Sequence, residues 1–308
     1  MRSYVAGRVL AALTVVAFLV ALAGPADQGG SRVAAQQQGQ VELSLNVVAA
    51  SNVACRSAQK PDKCAVSPGS TFTLTVDINA VPASGYSAYE LDVVHTGLVS
   101  KAIRYAAISE LGVTLPTAGV GTEAFRAGAL TAIQQPPLPT TGYLGPLVEA
   151  DFNCAASGTF KISIRVPDTK VKDANGDNVP ITTGEQAGAK VADTLLITCV
   201  DPLDFDKDGD GCTTRRELGP DERLGGRRDP NNPWDFYDTN GDRRIDAPND
   251  ILGVMLRYSA NPALPYDPAY DRGPSAGPNA WNTTGPDGRI NASNDILSVM
   301  FQYQHNCR

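Results

Sequence analysis

From Val41 to about Val200, apolar and polar positions alternate with a period of two. Leu43, Leu45 and Val47 fall on one side of a short run, as do Phe72, Leu74, Val76 and Ile78, then Tyr89, Leu91 and Val93, and later Phe160, Ile162, Ile164 and Val166. Successive side chains of an extended strand point to opposite faces, so each run predicts a half-buried strand. Turn-forming clusters separate the runs: Ser67-Pro68-Gly69-Ser70, Pro82-Ala83-Ser84-Gly85, Gln134 to Pro139, and Ala174-Asn175-Gly176-Asp177. Strands spaced in this way read as a two-sheet sandwich of about eight or nine antiparallel strands.

Different patterns flank this region. Behind Arg2 and Arg8, Val9 to Ala23 is an unbroken, mostly apolar run. It is shorter than the about 20 residues of a membrane span and reads as a signal-peptide core. Ala21-Leu22-Ala23 and Val33-Ala34-Ala35 both offer a small-x-small cleavage pattern, and an uncleaved N-terminal anchor is the alternative. The expected organisation is a signal peptide and cleavage region over 1–35, a flexible leader over 36–40, the sandwich over 41–200 and a separate module over 201–308. With no second spanning segment, the expected location is extracellular or at the cell surface.

The C-terminal region contains a duplication. Asp238 to Tyr258 aligns with Thr283 to Tyr303 at a constant offset, so that Asn249-Asp250-Ile251-Leu252 recurs as Asn294-Asp295-Ile296-Leu297 and Val254-Met255 as Val299-Met300. Ile251, Val254/Met255 and Tyr258, like Ile296, Val299/Met300 and Tyr303, recur at i, i+3/i+4 and i+7. That spacing predicts one apolar helical stripe in each unit, through which the two helices meet.

Composition narrows the function. Asp and Glu number 33 against 26 Lys and Arg, a formal charge of −7, which argues against a nucleic-acid or anionic-membrane partner. Two His in the chain leave little room for imidazole chemistry. Export makes disulfides the default for the six Cys. Position suggests Cys55 with Cys64 across a short polar turn, Cys154 with Cys199 at the ends of two strand-like runs, and Cys212 with Cys307 as a clasp on the acidic region.

The acidic residues carry the candidate chemistry. Asp206-Lys207-Asp208-Gly209-Asp210-Gly211 followed by Glu217 matches D-x-D-x-D-G-x5-E without a gap. Such a loop offers a hard cation the carboxylates of Asp206, Asp208 and Asp210, the carbonyl of Cys212, Thr214 at the ninth position and a closing Glu217, with Gly211 at the bend. Calcium is favoured over magnesium, which keeps more of its water. Asp173 to Asp177 also has a calcium-loop look, but Asn175-Gly176 between strand-like runs is first a turn.

Two resemblances follow from these residues. Pro68 to Ile78, Val81-Pro82, Gly85 to Leu91, Phe125 to Leu130, Gly142, Gly145 to Phe152 and Asp173 to Asp177 fall in the order seen in cohesin domains. This resemblance implies a mainly β, jelly-roll sandwich related to certain carbohydrate-binding modules. The duplicated D-x-N-x-D loop followed by a short helix resembles a dockerin module, which implies two calcium loops in a small α-helical unit. In the second loop it points to Asp238, Asn240, Asp242, the carbonyl of Arg244 and Asp246, with Ile245 buried at the eighth position and Arg243 standing where the family has Gly. Asn249 or Asp250 closes that shell, Asp250 being favoured. In the third, Thr283 and Gly285 stand in place of the first two acidic ligands, leaving Asp287, Asn291 and Asp295. The family's partner-contact pair becomes Ala247-Pro248 and Ala292-Ser293.

The expected function is that of a secreted, noncatalytic calcium-binding protein in cohesin/dockerin-type assembly, with calcium-dependent self-association as a further expectation. The alternative is a carbohydrate-binding component of a polysaccharide-degrading or cell-surface system. Trp234 and Trp281 suit a sugar platform, although packing between loop and helix is the preferred reading. A glycoside hydrolase needs two carboxyls about 5–10 Å apart in a cleft, and the clustered acids here are already assigned to cation loops.

Overall fold

The computed structural model describes residues 40–57, 61–182 and 191–308; the signal-peptide and cleavage region and nearly all of the leader lie outside them. From residue 40 onward the chain belongs to one compact unit with two hydrophobic cores.

The first core lies between two sheets. One has four strands in the order β1 (Glu42–Val47), β4 (Thr71–Ala80), β9 (Gly145–Asn153), β6 (Ser100–Tyr105). The other runs β2 (Val53–Arg56), β3 (Lys63–Val66), β12 (Val191–Cys199), β10 (Gly158–Arg165), β5 (Ala88–His95), β8 (Ala124–Leu130), β7 (Val113–Thr114), and β11 (Lys170–Lys172) also pairs with β5. The described residues therefore hold 12 strands rather than eight or nine, and β3 pairs with β12 in parallel. The extra strands are two to four residues long, too short to register as a period.

Alternation explains the longer strands. On β4, Phe72, Leu74, Val76 and Ile78 point into the core while Thr71, Asp77 and Asn79 do not. Phe72 lies opposite Phe152 of β9 and stacks on it at 5.6 Å. His95, buried at the end of β5, packs edge-on against Phe152 and places Nδ1 2.9 Å from the Leu98 carbonyl, so it is a core residue.

The three expected disulfides are present. Cys55–Cys64 joins directly opposed residues of the β2–β3 hairpin. Cys154–Cys199 ties the end of β9 in one sheet to the end of β12 in the other. Cys212–Cys307 closes a separation of 95 residues around the C-terminal region. Asp173 to Asp177 forms a turn in which Asp173 Oδ1 accepts from the amides of Asn175 and Asp177.

The second core gathers Cys212, Phe236, Tyr237, Ile245, Val254, Ile290, Val299 and Cys307. Its regular elements are short: α1 (Thr214–Glu217), α2 (Leu252–Met255) and α3 (Leu297–Phe301). The helices α2 and α3 each continue a π-helical turn, Ala247–Ile251 and Ala292–Ile296. The expected stripe is narrower than its spacing suggested. Val254 and Val299 are buried, while Met255, Met300 and Tyr303 are exposed. A π turn closes i→i+5 hydrogen bonds and so resets the angular register that an α period assumes. The helices also stop before Tyr258 and Tyr303. No helix among the described residues is long and apolar enough to cross a membrane.

Candidate metal centre

The first acidic loop follows directly on the sandwich. Asp206 organises it: Oδ1 accepts from the Gly209 amide at 2.6 Å and Oδ2 from the Gly211 amide at 3.1 Å. Gly209 and Gly211 sit at φ +92° and +104°, a backbone that side chains resist and glycine permits. Arg56 of the β2–β3 hairpin reaches this loop, with Nη2 3.6 Å from the Asp206 carboxylate. Asp208 Oδ1 accepts from the Asp210 amide at 3.4 Å, and Asp210 Oδ1 from the Cys212 amide at 2.7 Å. The Cys212–Cys307 bond fixes the backbone at the seventh position.

The remaining oxygens have nothing to bond. Asp208 Oδ2, Asp210 Oδ2 and both carboxylate oxygens of Glu217 are buried without a hydrogen-bond partner, and Glu217 as a residue is 0% exposed. Oxygens of Asp206, Asp208 and Asp210 lie within 4.8 Å of one another. Asp235, a residue outside every motif in the sequence, forms a second such group with Asp210 and Glu217. It too is fully buried with Oδ1 unpartnered.

Burial, reinforced by neighbouring carboxylates, pushes the Glu217 carboxyl up to about 10, Asp210 to about 8, Asp235 to about 7 and Asp208 to about 6. Buried polar groups are ordinarily paired, and buried charges more strictly so. A set of oxygen donors with five orphaned atoms suits a hard divalent cation, and calcium, with six to eight flexible oxygen ligands, fits better than an octahedral magnesium. Thr214 departs from the expected arrangement: its hydroxyl donates to the Phe205 carbonyl at 3.2 Å, as does its amide at 3.0 Å.

The second loop is held by its own amides. Asp238 Oδ1 accepts from Asn240, Gly241 and Asp242, and Oδ2 from Arg243 at 2.6 Å. Arg243 adopts φ +64° where the motif has glycine. Arg244 is exposed and pairs its backbone with Asn306, while Ile245 is buried. Asp246 caps the π turn through the Asn249 amide at 2.9 Å. The extra residue carried by that turn rotates Asp250 inward and leaves Asn249 exposed. Asp250 Oδ1 accepts from the Thr239 amide and hydroxyl, and Oδ2 from the Asp246 amide. Burial raises the Asp238 pKa.

The third loop begins elsewhere than the constant offset implied. Thr283 is buried and donates its hydroxyl to the Trp234 carbonyl at 2.7 Å. The place of Asp238 is taken by Asp271. Asp271 Oδ1 accepts from Asp287 at 3.3 Å and Oδ2 from Gly288 at 2.8 Å, as Asp238 accepts from Asp242 and Arg243. The next amide, of Arg272, donates to Asp295 Oδ1 at 2.6 Å, as that of Thr239 does to Asp250 at 2.7 Å. The Asn291 amide donates to Asp295 Oδ2 as that of Asp246 does to Asp250. The stretch between Gly273 and Thr284 is thus an insertion into the loop, closed by a bridge between Ser275 and Thr283. Asn291 caps the second π turn through the Asn294 amide. Asp295, buried, is raised to about 6 by desolvation. Among the described residues, the acids of the second and third loops do not gather three carboxylates as the first does.

Asp235 left one sequence signal, an acid inside the aromatic run Trp234-Asp235-Phe236-Tyr237. Asp271 left none, because the insertion displaces it. Both Trp are committed to packing: the Arg272 guanidinium lies 5.1 Å from the Trp234 ring centroid, and Trp281 donates Nε1–H to the Arg227 carbonyl and packs edge-on against His305.

No protein-family model and no curated protein matches this chain. Among solved structures, the sixth cohesin of scaffoldin B from Acetivibrio cellulolyticus, in complex with a Cel5 dockerin mutant, is similar at 15% identity, covering 52% of this chain and 99% of that one with a TM-score of 0.37. A non-cellulosomal cohesin from Archaeoglobus fulgidus is similar at 13% identity over 52% of this chain and 91% of that one, TM-score 0.34. The cohesin module of a family 33 glycoside hydrolase from Clostridium perfringens is similar at 10% identity over 53% and 98%, TM-score 0.37.

Proposed function

We propose that this chain is an exported, noncatalytic binding protein whose C-terminal region is held together by calcium in the 206–217 loop and presents an apolar face to a protein partner. The observation that carries the calcium reading is the group of buried, partnerless carboxylate oxygens on Asp208, Asp210, Glu217 and Asp235. Left without a cation they stay desolvated and escape mutual repulsion only by holding protons; a bound ion couples their neutralisation to folding. The second and third loops, whose leading and closing carboxylates already accept backbone amides, are read as weaker sites or as cation-free copies of the same frame.

The partner reading is supported by the duplicated helices. Leu252 and Met255 on α2, and Leu297, Met300 and Phe301 on α3, are all exposed. Leu252 and Met255 recur as Leu297 and Met300, open to solvent in both copies, and exposed apolar residues of this kind mark an interaction surface. Three disulfides and the apolar run at 9–23 support export.

Calorimetric titration of the chelator-treated full chain tests the calcium reading. One equivalent is expected to bind tightly, with Asp206→Ala abolishing it and Asp238→Ala leaving it in place. Absence of binding at millimolar calcium overturns the reading.

A further inference from the structure

On its own the 206–217 loop offers six oxygens, one each from Asp206, Asp208 and Asp210, the Cys212 carbonyl and the pair on Glu217. Its ninth position, Thr214, is turned away, with hydroxyl and amide both donated to the Phe205 carbonyl. Six is the lower end of the six to eight oxygens that calcium takes, so the shell has room for another. Asp235 lies within reach, with a carboxylate oxygen within 4.8 Å of those of Asp210 and Glu217.

The orientation of Asp235 is fixed from behind. Its Oδ2 accepts from the Asp229 amide at 2.9 Å and from Asn282 Nδ2 at 3.5 Å, while Oδ1 is buried without a partner. The neighbouring Arg228 does not relieve it: Nε donates to the Asp235 backbone carbonyl at 3.0 Å. The orphaned oxygens of Asp208, Asp210, Glu217 and Asp235, joined by Asp206 and the Cys212 carbonyl, make a number of ligands that one calcium ion takes.

We propose that Asp235 is a ligand of the cation in the 206–217 loop, in the place Thr214 leaves, so that a single calcium ion joins two separate stretches of chain. This rests on the calcium reading of that loop. Its consequence reaches the C-terminus. Arg228, bonded to the Asp235 carbonyl, also donates from Nη2 to Gln302 Oε1 at 2.8 Å and lies 3.1 Å from His305 Nδ1. Gln302 Oε1 accepts in turn from the Tyr237 amide. Calcium at the first loop therefore braces the end of α3, and with it the exposed face of the second repeat, without touching either.

Two measurements on the full chain decide the matter. In calorimetric titrations with calcium chloride, Asp235→Asn is expected to weaken binding at least tenfold at unchanged stoichiometry. In wild-type protein, calcium is expected to slow amide hydrogen exchange across 228–237 as well as 206–217. Unchanged affinity in Asp235→Asn, or protection confined to 206–217, overturns the role of Asp235 and leaves the calcium reading standing. Loss of one equivalent with the other unaltered assigns Asp235 to a separate ion and also overturns the shared shell. No binding by wild-type protein instead removes the calcium reading itself. If Asp235→Asn does not fold, the wild-type exchange pattern still decides.

Discussion

Glu217→Gln separates the cost of the first loop from its purpose. In the cation-free protein, burial and the surrounding carboxylates push the Glu217 carboxyl from 4.5 up to about 10. The folded value lies above the unfolded one, so this group's contribution is fullest below pH 4.5 and is lost as pH rises toward 10. At pH 7 the folded side chain stays protonated while the unfolded one is ionised. Holding that proton costs about 3.5 kcal/mol, from roughly 1.4 kcal/mol for each of the 2.5 pH units between 4.5 and 7. Glutamine keeps the shape and has no proton to hold, so the variant should be more stable than wild type by about this amount in chelator. In calcium the difference shrinks, because a carboxylate that closes the shell is replaced by one neutral oxygen. An affinity loss of about a hundredfold removes about 2.7 kcal/mol of the calcium-induced gain and brings the two proteins within about 1 kcal/mol of each other. Urea unfolding followed by tryptophan fluorescence suits the test, since both Trp lie in the C-terminal region. A variant less stable than wild type in chelator would refute the argument, because Glu217 would then be making a favourable contact within the protein.

Three further outcomes follow from the same structure. Desolvation beside Arg228 takes His305 down to about 4, and burial lowers His95 as well. The stability these neutral imidazoles contribute above pH 6.5 is therefore lost as pH falls below it, toward 4 for His305, and an NMR titration placing His305 at 6.5 or higher would contradict its burial. Replacing Cys212 and Cys307 by Ser opens a closure of 95 residues and should cost about 4–5 kcal/mol in the tryptophan-monitored transition; a loss under about 1 kcal/mol would deny the clasp its role. Light scattering is expected to show calcium-dependent association of the wild-type chain that is lost in Met255→Glu/Met300→Glu, and a monomer with and without calcium would remove self-association as the use of that face.

What could be read from the chain was what is local in it. The period of β4 shows because one face of the strand is buried over its whole length, whereas β2, β7 and β11 are too short to show any period, and the parallel pairing of β3 with β12 depends on residues far apart. The disulfides were legible because each Cys ends or flanks an identifiable run. Of the candidate site, the 206–217 loop is continuous and its spacing follows directly from how a backbone wraps an ion. Asp235 and Asp271 come from outside the continuous pattern, one from a separate stretch of chain and the other from beyond an insertion. The expectation for Met255 and Met300 failed for a third reason: the apolar spacing is real, but a π turn precedes each helix and carries these residues to the surface.

The most direct test of the central claim is an anomalous difference map from crystals of the full chain grown with calcium. A peak enclosed by Asp206, Asp208, Asp210, Glu217 and Asp235 is expected. Ordered carboxylates at the same place with no peak between them, under millimolar calcium, would contradict it.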